Sequence, residues 1–249
     1  MTAPALIALA HGSRDPRSTA TITALTDLAA SMRPDLLVEP AFLELASPSP
    51  SQVIDRLVAD GVEEIVIVPL LLTRAYHAKV DVPAVCAAAR HRHRGLRVHA
   101  SDELGLEVDF LDVLDRRLRT ALSDARVREL DALVLAAAGS SDALANASVA
   151  RLARAWGARH HLPTSAAFAS TAPPATGEAV RALRRDGRRH IAVGSLFLAP
   201  GFLPARAAEL AIEGGAVAVS DPLGADPAVA RTVLARYAVG AVDLVPLPA

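Results

Sequence analysis

Apolar positions in this chain fall into short continuous runs separated by longer stretches with helical spacing. The runs lie at Leu6–Ala10, Ile65–Leu72 and Leu96–Ala100, and again at Leu133–Ala137, Ile191–Leu198 and Ala216–Val219. Continuous rather than alternating runs suit strands of a parallel sheet covered on both faces. Between them lie helix signals. Asp15-Pro16 supplies a cap and a first-turn proline, followed by Ile22, Leu25, Leu28 and Met32 on one helical face. Ser49-Pro50 opens a second helix bearing Val53, Ile54, Leu57 and Val58, and Gly61 closes it. This alternation predicts a doubly wound α/β architecture.

The pattern occurs twice. Leu6–Asp15 aligns with Leu133–Asp142, each carrying a Gly-Ser pair just past the apolar run. Asp60-Gly61 and the run from Ile65 align with Asp186-Gly187 and the run from Ile191, and Ser101–Gly105 aligns with Ser220–Gly224. The offset is 127 residues at Leu6/Leu133 and 126 at Asp60/Asp186. Two tandem, related lobes follow, 1–124 and 130–249, each with a mostly parallel sheet flanked by helices. The polar segment Ser123–Asp131 is their joint.

Composition narrows the class. Apolar residues make up 52% of the 249 and aromatics only 3%, so the core is large and aliphatic. With 27 acidic and 26 basic residues the net charge is −1, which gives no footing for a nucleic-acid binder. Cys86 is the only cysteine, so an internal disulfide, a four-cysteine zinc site and a cysteine-ligated cluster are excluded within one chain. No stretch offers about 20 uninterrupted apolar residues, and Met1–Leu9 lacks the cationic start of a signal peptide. A soluble protein of the cytoplasm is the expectation.

Ligands of open α/β sheets bind beyond the carboxyl ends of the strands. His11 directly follows the first strand, Glu44 follows the Val38–Leu43 segment, and His77 lies past the third strand, in a loop before a helix beginning near Asp81 and Pro83. Two imidazoles and a carboxylate suit a borderline divalent metal. Isolated His and Glu side chains in such loops also serve as caps or simply face water, and spacing leaves both readings open. In the second half the corresponding residues are Ala138, Ser170 and Leu203. Chemistry is therefore expected once per chain, in the first lobe.

Other candidates have plainer readings. His91 and His93, among Arg90, Arg92, Arg94 and Arg97, decorate a helix C-terminus, where cations offset the dipole. His160-His161 reads as a solvated loop, Gly139-Ser140-Ser141 as a strand-to-helix turn, and Cys86 as a buried, inert thiol. The sequence lacks G-x-S-x-G, G-x-x-x-x-G-K-[ST] and G-x-G-x-x-G, the marks of α/β-hydrolases, P-loop NTPases and dinucleotide-binding dehydrogenases.

Leu9–Pro16 (LAHGSRDP), Ala41–Glu44 (AFLE) and Val68–Leu72 with His77 and Asp81-Val82-Pro83 resemble the sirohydrochlorin chelatases of the CbiX/SirB type. The resemblance covers the whole chain, because long members of that family are tandem two-lobed proteins. It implies the chelatase-like fold and ATP-independent insertion of Fe²⁺ or Co²⁺ into sirohydrochlorin, on the way to sirohaem or cobalamin, with iron favoured. It implies His11, Glu44 and His77 as the metal-binding and catalytic set. The metal is then a substrate, with no permanently bound cofactor. The macrocycle is a polycarboxylate, and Ser13, Arg14, Arg74 and Lys79 flank the cluster as candidates to hold it. The second lobe would complete the cleft, in a monomer. Some members carry a histidine-rich stretch or a Cys-x-x-Cys motif near the C-terminus, and this chain has neither. Two other classes stay open at this point: a non-catalytic metal or tetrapyrrole carrier on the same fold, and a metal-independent hydrolase or phosphotransfer enzyme using His11.

Overall fold

A computed structural model describes residues 3–73 and 76–244, with 76–79 given by their backbone alone. It holds two four-stranded parallel sheets. In the first, β1 (Ala5–Ala10), β2 (Val38–Phe42), β3 (Glu64–Pro69) and β4 (Arg97–Ala100) lie in the order β2-β1-β3-β4. In the second, β5 (Ala132–Ala137), β6 (Thr164–Phe168), β7 (Ile191–Ser195) and β8 (Ala218–Val219) lie in the order β6-β5-β7-β8. The registers repeat as well: Ala10 stands beside Phe42 as Ala137 stands beside Phe168. The interior strands β1 and β5 are buried along their whole length, as their continuous apolar runs require.

The helices are α1 (Pro16–Met32), α2 (Pro50–Ala59), α3 (Tyr76–Arg92), α4 (Phe110–Asp124), α5 (Ala143–His160), α6 (Thr176–Arg185), α7 (Phe202–Glu213) and α8 (Pro227–Val242). Their starts follow the signals in the sequence. Asp15 caps α1 by accepting from the Arg17 N–H at 2.9 Å, and Ser49 and Gln52 form a reciprocal capping box at α2. Val53, Ile54 and Leu57 of α2 pack with Ile7, Ile65 and Ile67 in the first core. Among the described residues no helix is long and apolar enough to cross a membrane.

Three elements depart from the expectations. Helix α3 already begins at Tyr76, so the His77 backbone is helical, and Pro83 lies inside the helix rather than at its start. Proline's fixed φ is helical, and what it costs is one N–H and a clash with the preceding turn. Here Val82, Cys86 and Ala89 are all buried on one face, which keeps the helix continuous through it. Strand β6 contains too few large apolar residues to stand out as a run. The runs at Ile65 and Ile191 outlast their strands, because Leu70 and Leu196 remain buried after the chain has turned out of the sheet.

The chain forms two compact units, Met1–Gly105 with Ala225–Ala249, and Leu106–Gly224. The division at 124/130 expected from polarity therefore differs from the packing. Helix α4 follows the first sheet in sequence, yet its buried Phe110, Leu111, Val113 and Leu114 belong to the second unit, where it packs on β7 and β8. Helix α8 follows the second sheet and packs on α1, β3 and β4 of the first unit. Each repeat gives its last helix to the other unit. The exchange is symmetric in detail. In the first unit Arg236 donates to the carbonyls of Glu103 and Leu104, and in the second Arg117 donates to that of Leu223.

Candidate metal centre

Past the end of β1, His11-Gly12-Ser13 turns the chain toward α1, and Glu44 lies in the loop that follows β2. The two loops are zipped together beyond the sheet. The Leu43 N–H donates to the Ala10 carbonyl and the Glu44 N–H to the His11 carbonyl, both at 2.9 Å. That approach is possible because residue 12 has no side chain. Gly12 sits at φ +100°, and a Cβ there would lie 1.7 Å from the Glu44 carbonyl oxygen. Leu45 adds strain with φ 61°. The result places His11 Nδ1 3.3 Å from Glu44 Oε1, with side-chain exposures of 38% and 56%. An imidazole and a carboxylate thus meet at the rim of the strand ends, open to solvent on one side.

The second unit repeats the loops without the imidazole and the carboxylate. Gly139 has φ +87°, with a Cβ position 2.0 Å from the Ser170 carbonyl oxygen. The Ser170 N–H donates to the Ala138 carbonyl at 3.0 Å, and Thr171 takes φ 65° where Leu45 takes 61°. The strained backbone belongs to the scaffold, since both copies carry it. The His11–Glu44 pair belongs to one copy only: Ala138 and Ser170 occupy its place, and the Ser170 hydroxyl donates to the Ala138 carbonyl. Leu203 is the second residue of α7, as His77 is of α3.

The His77 side chain lies outside the described residues, as do Arg74 and the Lys79 side chain. Among the described residues, no three His, Cys, Asp or Glu side chains gather in a way that could hold a metal. Ser13 is built into the turn, its hydroxyl accepting the Asp15 N–H at 3.1 Å, while Arg14 is exposed beside it. The Arg17 guanidinium binds Asp15 and holds its carboxyl below the usual range.

Two histidines have roles that sequence reasoning missed. His93 is not a mere helix-end decoration. Its Nε2 lies 2.7 Å from Asp55 Oδ1, Arg92 holds the other oxygen at 2.8 Å, and the His93 bond, ahead of the Arg92 charge, lowers the Asp55 pKa. His91 does remain exposed. His160 is not in a solvated loop: it closes α5, with Nε2 2.8 Å from Oδ1 of Asp115, a carboxylate only 6% exposed. The same oxygen accepts the Trp156 indole N–H at 2.8 Å. The available signal was the four-residue spacing of Trp156 and His160, which places them on one helical face. The Gly139-Ser140-Ser141 segment is a turn, with the Ser140 N–H bonded to Asn146 Oδ1. Burial pushes the Cys86 thiol up, consistent with an inert residue.

A family model described as CbiX matches residues 5–121 and 132–239, one match per repeat. The sirohydrochlorin cobaltochelatase of Priestia megaterium is 27% identical over 206 residues, 80% of this chain and 66% of that protein. The sirohydrochlorin ferrochelatase of the same organism is 27% identical over 202 residues, 80% of this chain and 74% of the relative. The structure of SirB from Bacillus subtilis with Fe3+ superposes with a TM-score of 0.80 at 24% identity, covering 97% of this chain and 96% of that one. The two-lobed chelatase-like fold is therefore shared over 97% of this chain.

Proposed function

The chain belongs to the CbiX family, and on that premise we propose that it inserts a divalent metal ion into sirohydrochlorin without ATP, with Fe²⁺ favoured and Co²⁺ also accepted. The observation that carries the reading is the His11–Glu44 pair, 3.3 Å apart at the strand ends of one unit, where the equivalent loops of the other unit carry Ala138 and Ser170. Nitrogen and oxygen donors each about 2.1 Å from one ion sit about 3.0–3.4 Å apart at coordination angles between square and tetrahedral. The pair has that spacing. His77, near the start of α3, is the proposed third member.

Insertion exchanges two pyrrole N–H protons for the metal, so the site needs bases and a transient seat for the ion. Neutral imidazole serves as either. His11 and His77 hold the ion and accept protons, and Glu44 balances charge and favours proton loss nearby. A centre with few protein ligands leaves positions open for incoming pyrrole nitrogens, whereas a closed four-ligand site would retain the metal. Arg14, Arg74 and Lys79 are proposed to hold the macrocycle's carboxylates. Fe²⁺ and Co²⁺ accept the same nitrogen and oxygen donors, so metal supply sets much of the choice between them.

The test is anaerobic incubation of excess sirohydrochlorin with Fe²⁺ or Co²⁺ in the absence of ATP, following the macrocycle's absorption. Conversion over many turnovers, at a rate proportional to protein, supports the chelatase. A single stoichiometric change that then stops identifies a carrier instead.

A further inference from the structure

The two units pack their second and third helices differently. In the second unit α6 and α7 meet backbone to backbone. A Cβ on Gly177 would lie 2.6 Å from the Leu210 carbonyl oxygen, and one on Gly214 2.9 Å from that of Gly177. Counted from the first residues of the helices, the first unit carries Ser51 and Ala88 at these two places. Their side chains forbid the same approach, and α2 and α3 pack more sparsely than α6 and α7. An open groove of about 810 Å³ lies between them. Helix α3 is also longer, 17 residues against 12 in α7, so in this register Ala88 to Arg92 extend past the point where α7 ends.

That extension furnishes the groove. Ile54 of α2 with Val85, Ala88 and Ala89 of α3 supply an apolar lining, and His91, Arg92 and His93 bring imidazole and guanidinium groups to it. Among the described residues the one carboxylate in the lining is Asp55, and both its oxygens are engaged. Oδ1 lies 2.7 Å from His93 Nε2 and Oδ2 2.8 Å from Arg92 Nη2. Arg90 and Arg94 flank the cluster, and no acidic residue occurs from 82 to 101. The groove thus joins an apolar wall to a cationic border. Clefts of about 300–1,000 Å³ with mostly apolar walls and a few placed polar groups are the usual form of a small-molecule site. We propose that the α2–α3 groove binds a small organic anion with an apolar body, at a site separate from the His11–Glu44 centre. The body lies along Ile54, Val85 and Ala88, and its acidic group accepts hydrogen bonds from Arg92 and His91. A guanidinium that donates to one carboxylate has further N–H donors in its fork for a second anion. In the second unit the contact between Gly177 and Gly214 takes up this place.

The probes are anilinonaphthalene sulfonate and phenylnaphthylamine, which share an apolar body and differ by the anionic group. Fluorescence titrations compare the wild type with Arg92→Gln/His91→Gln and with two variants that fill the groove from opposite walls, Ala88→Trp and Ser51→Trp. All four of these side chains are exposed, and circular dichroism and Tm confirm folding. The expected result is one saturable sulfonate site per chain, about tenfold or more tighter than for the neutral probe, the scale of a charge-assisted hydrogen bond. The double Gln variant should erase that preference while neutral-probe binding stays unchanged. Each folded filling variant should weaken the sulfonate probe about tenfold or more. Equal wild-type affinity for the two probes, a preference that survives the double Gln variant, or sulfonate binding unaffected by a filled groove overturns the anion site. A wild type that elutes as a dimer and becomes a monomer in Ala88→Trp assigns the groove to a second copy of the chain and overturns it too.

Discussion

Replacing Gly12 or Gly139 with alanine applies one perturbation to two copies of one loop. At φ +100° and +87° any L side chain is strained, at a cost of about 1–2 kcal/mol. The added Cβ would lie 1.7 Å from the Glu44 carbonyl oxygen in one copy and 2.0 Å from that of Ser170 in the other. Such contacts do not fall below about 3.0 Å, so each carbonyl must retreat by about 1 Å or more. Strain and displacement together should cost about 2–4 kcal/mol in either variant. At about 2–4 °C per kcal/mol for a chain of this size, Tm falls by roughly 5–15 °C. The two variants part in activity. In the first unit the displaced carbonyl belongs to Glu44, bonded through its N–H to the His11 carbonyl, and a misplacement of about 1 Å in a reacting group costs on the order of 10²-fold. In the second unit the displaced residue is Ser170, facing Ala138. The assay is the initial rate of metal insertion well below both Tm values, minus the protein-free rate, beside calorimetric unfolding. Similar drops in Tm with a rate loss confined to Gly12→Ala are expected. Equal rate losses in both folded variants, or an undisturbed rate in Gly12→Ala, would refute the single-site reasoning.

Two further outcomes concern stability. Asp115→Ala removes the buried acceptor shared by Trp156 and His160, which should destabilise by about 2–4 kcal/mol and lower Tm without abolishing insertion at low temperature; an unchanged Tm would show that the cluster contributes nothing. Asp55 titrates lower in the folded than in the unfolded state, so its contribution is fully present above about pH 4 and is lost as pH falls through the folded value. The Tm of Asp55→Asn should therefore lie below that of the wild type at neutral pH and converge with it in acid, whereas a constant gap would contradict the pairing with His93 and Arg92.

Much of this arrangement is written locally, and that part is legible. The buried central strands announce themselves as unbroken apolar runs, and Asp15-Pro16 and Ser49-Pro50 supply caps whose hydrogen bonds the folded chain makes. The pairing of Gly12 with Gly139 follows from the repeat and is realised as the same left-handed turn. What is not legible depends on partners far away in the chain. Polarity marks Ser123–Asp131 as a joint, but nothing local in α4 or α8 says which sheet its apolar face will cover. Pro83 reads as a helix start because proline favours first turns, and only the burial of Val82, Cys86 and Ala89 carries α3 across it. His160 meets Asp115 across 45 residues of sequence, and His93 meets Asp55 across 38. Of the centre itself, the sequence points to the strand ends, and the fold brings His11 and Glu44 together there.

The most direct measurement is multiple-turnover insertion of Fe²⁺ into sirohydrochlorin at substoichiometric protein, comparing the wild type with His11→Ala and Glu44→Gln. Both side chains are substantially exposed, at 38% and 56%, so both variants should keep near-wild-type stability. The predicted result is a wild-type rate well above the protein-free background, with both variants folded and reduced toward it. Wild-type rates in either folded variant would contradict the assignment of the His11–Glu44 pair as the seat of metal insertion.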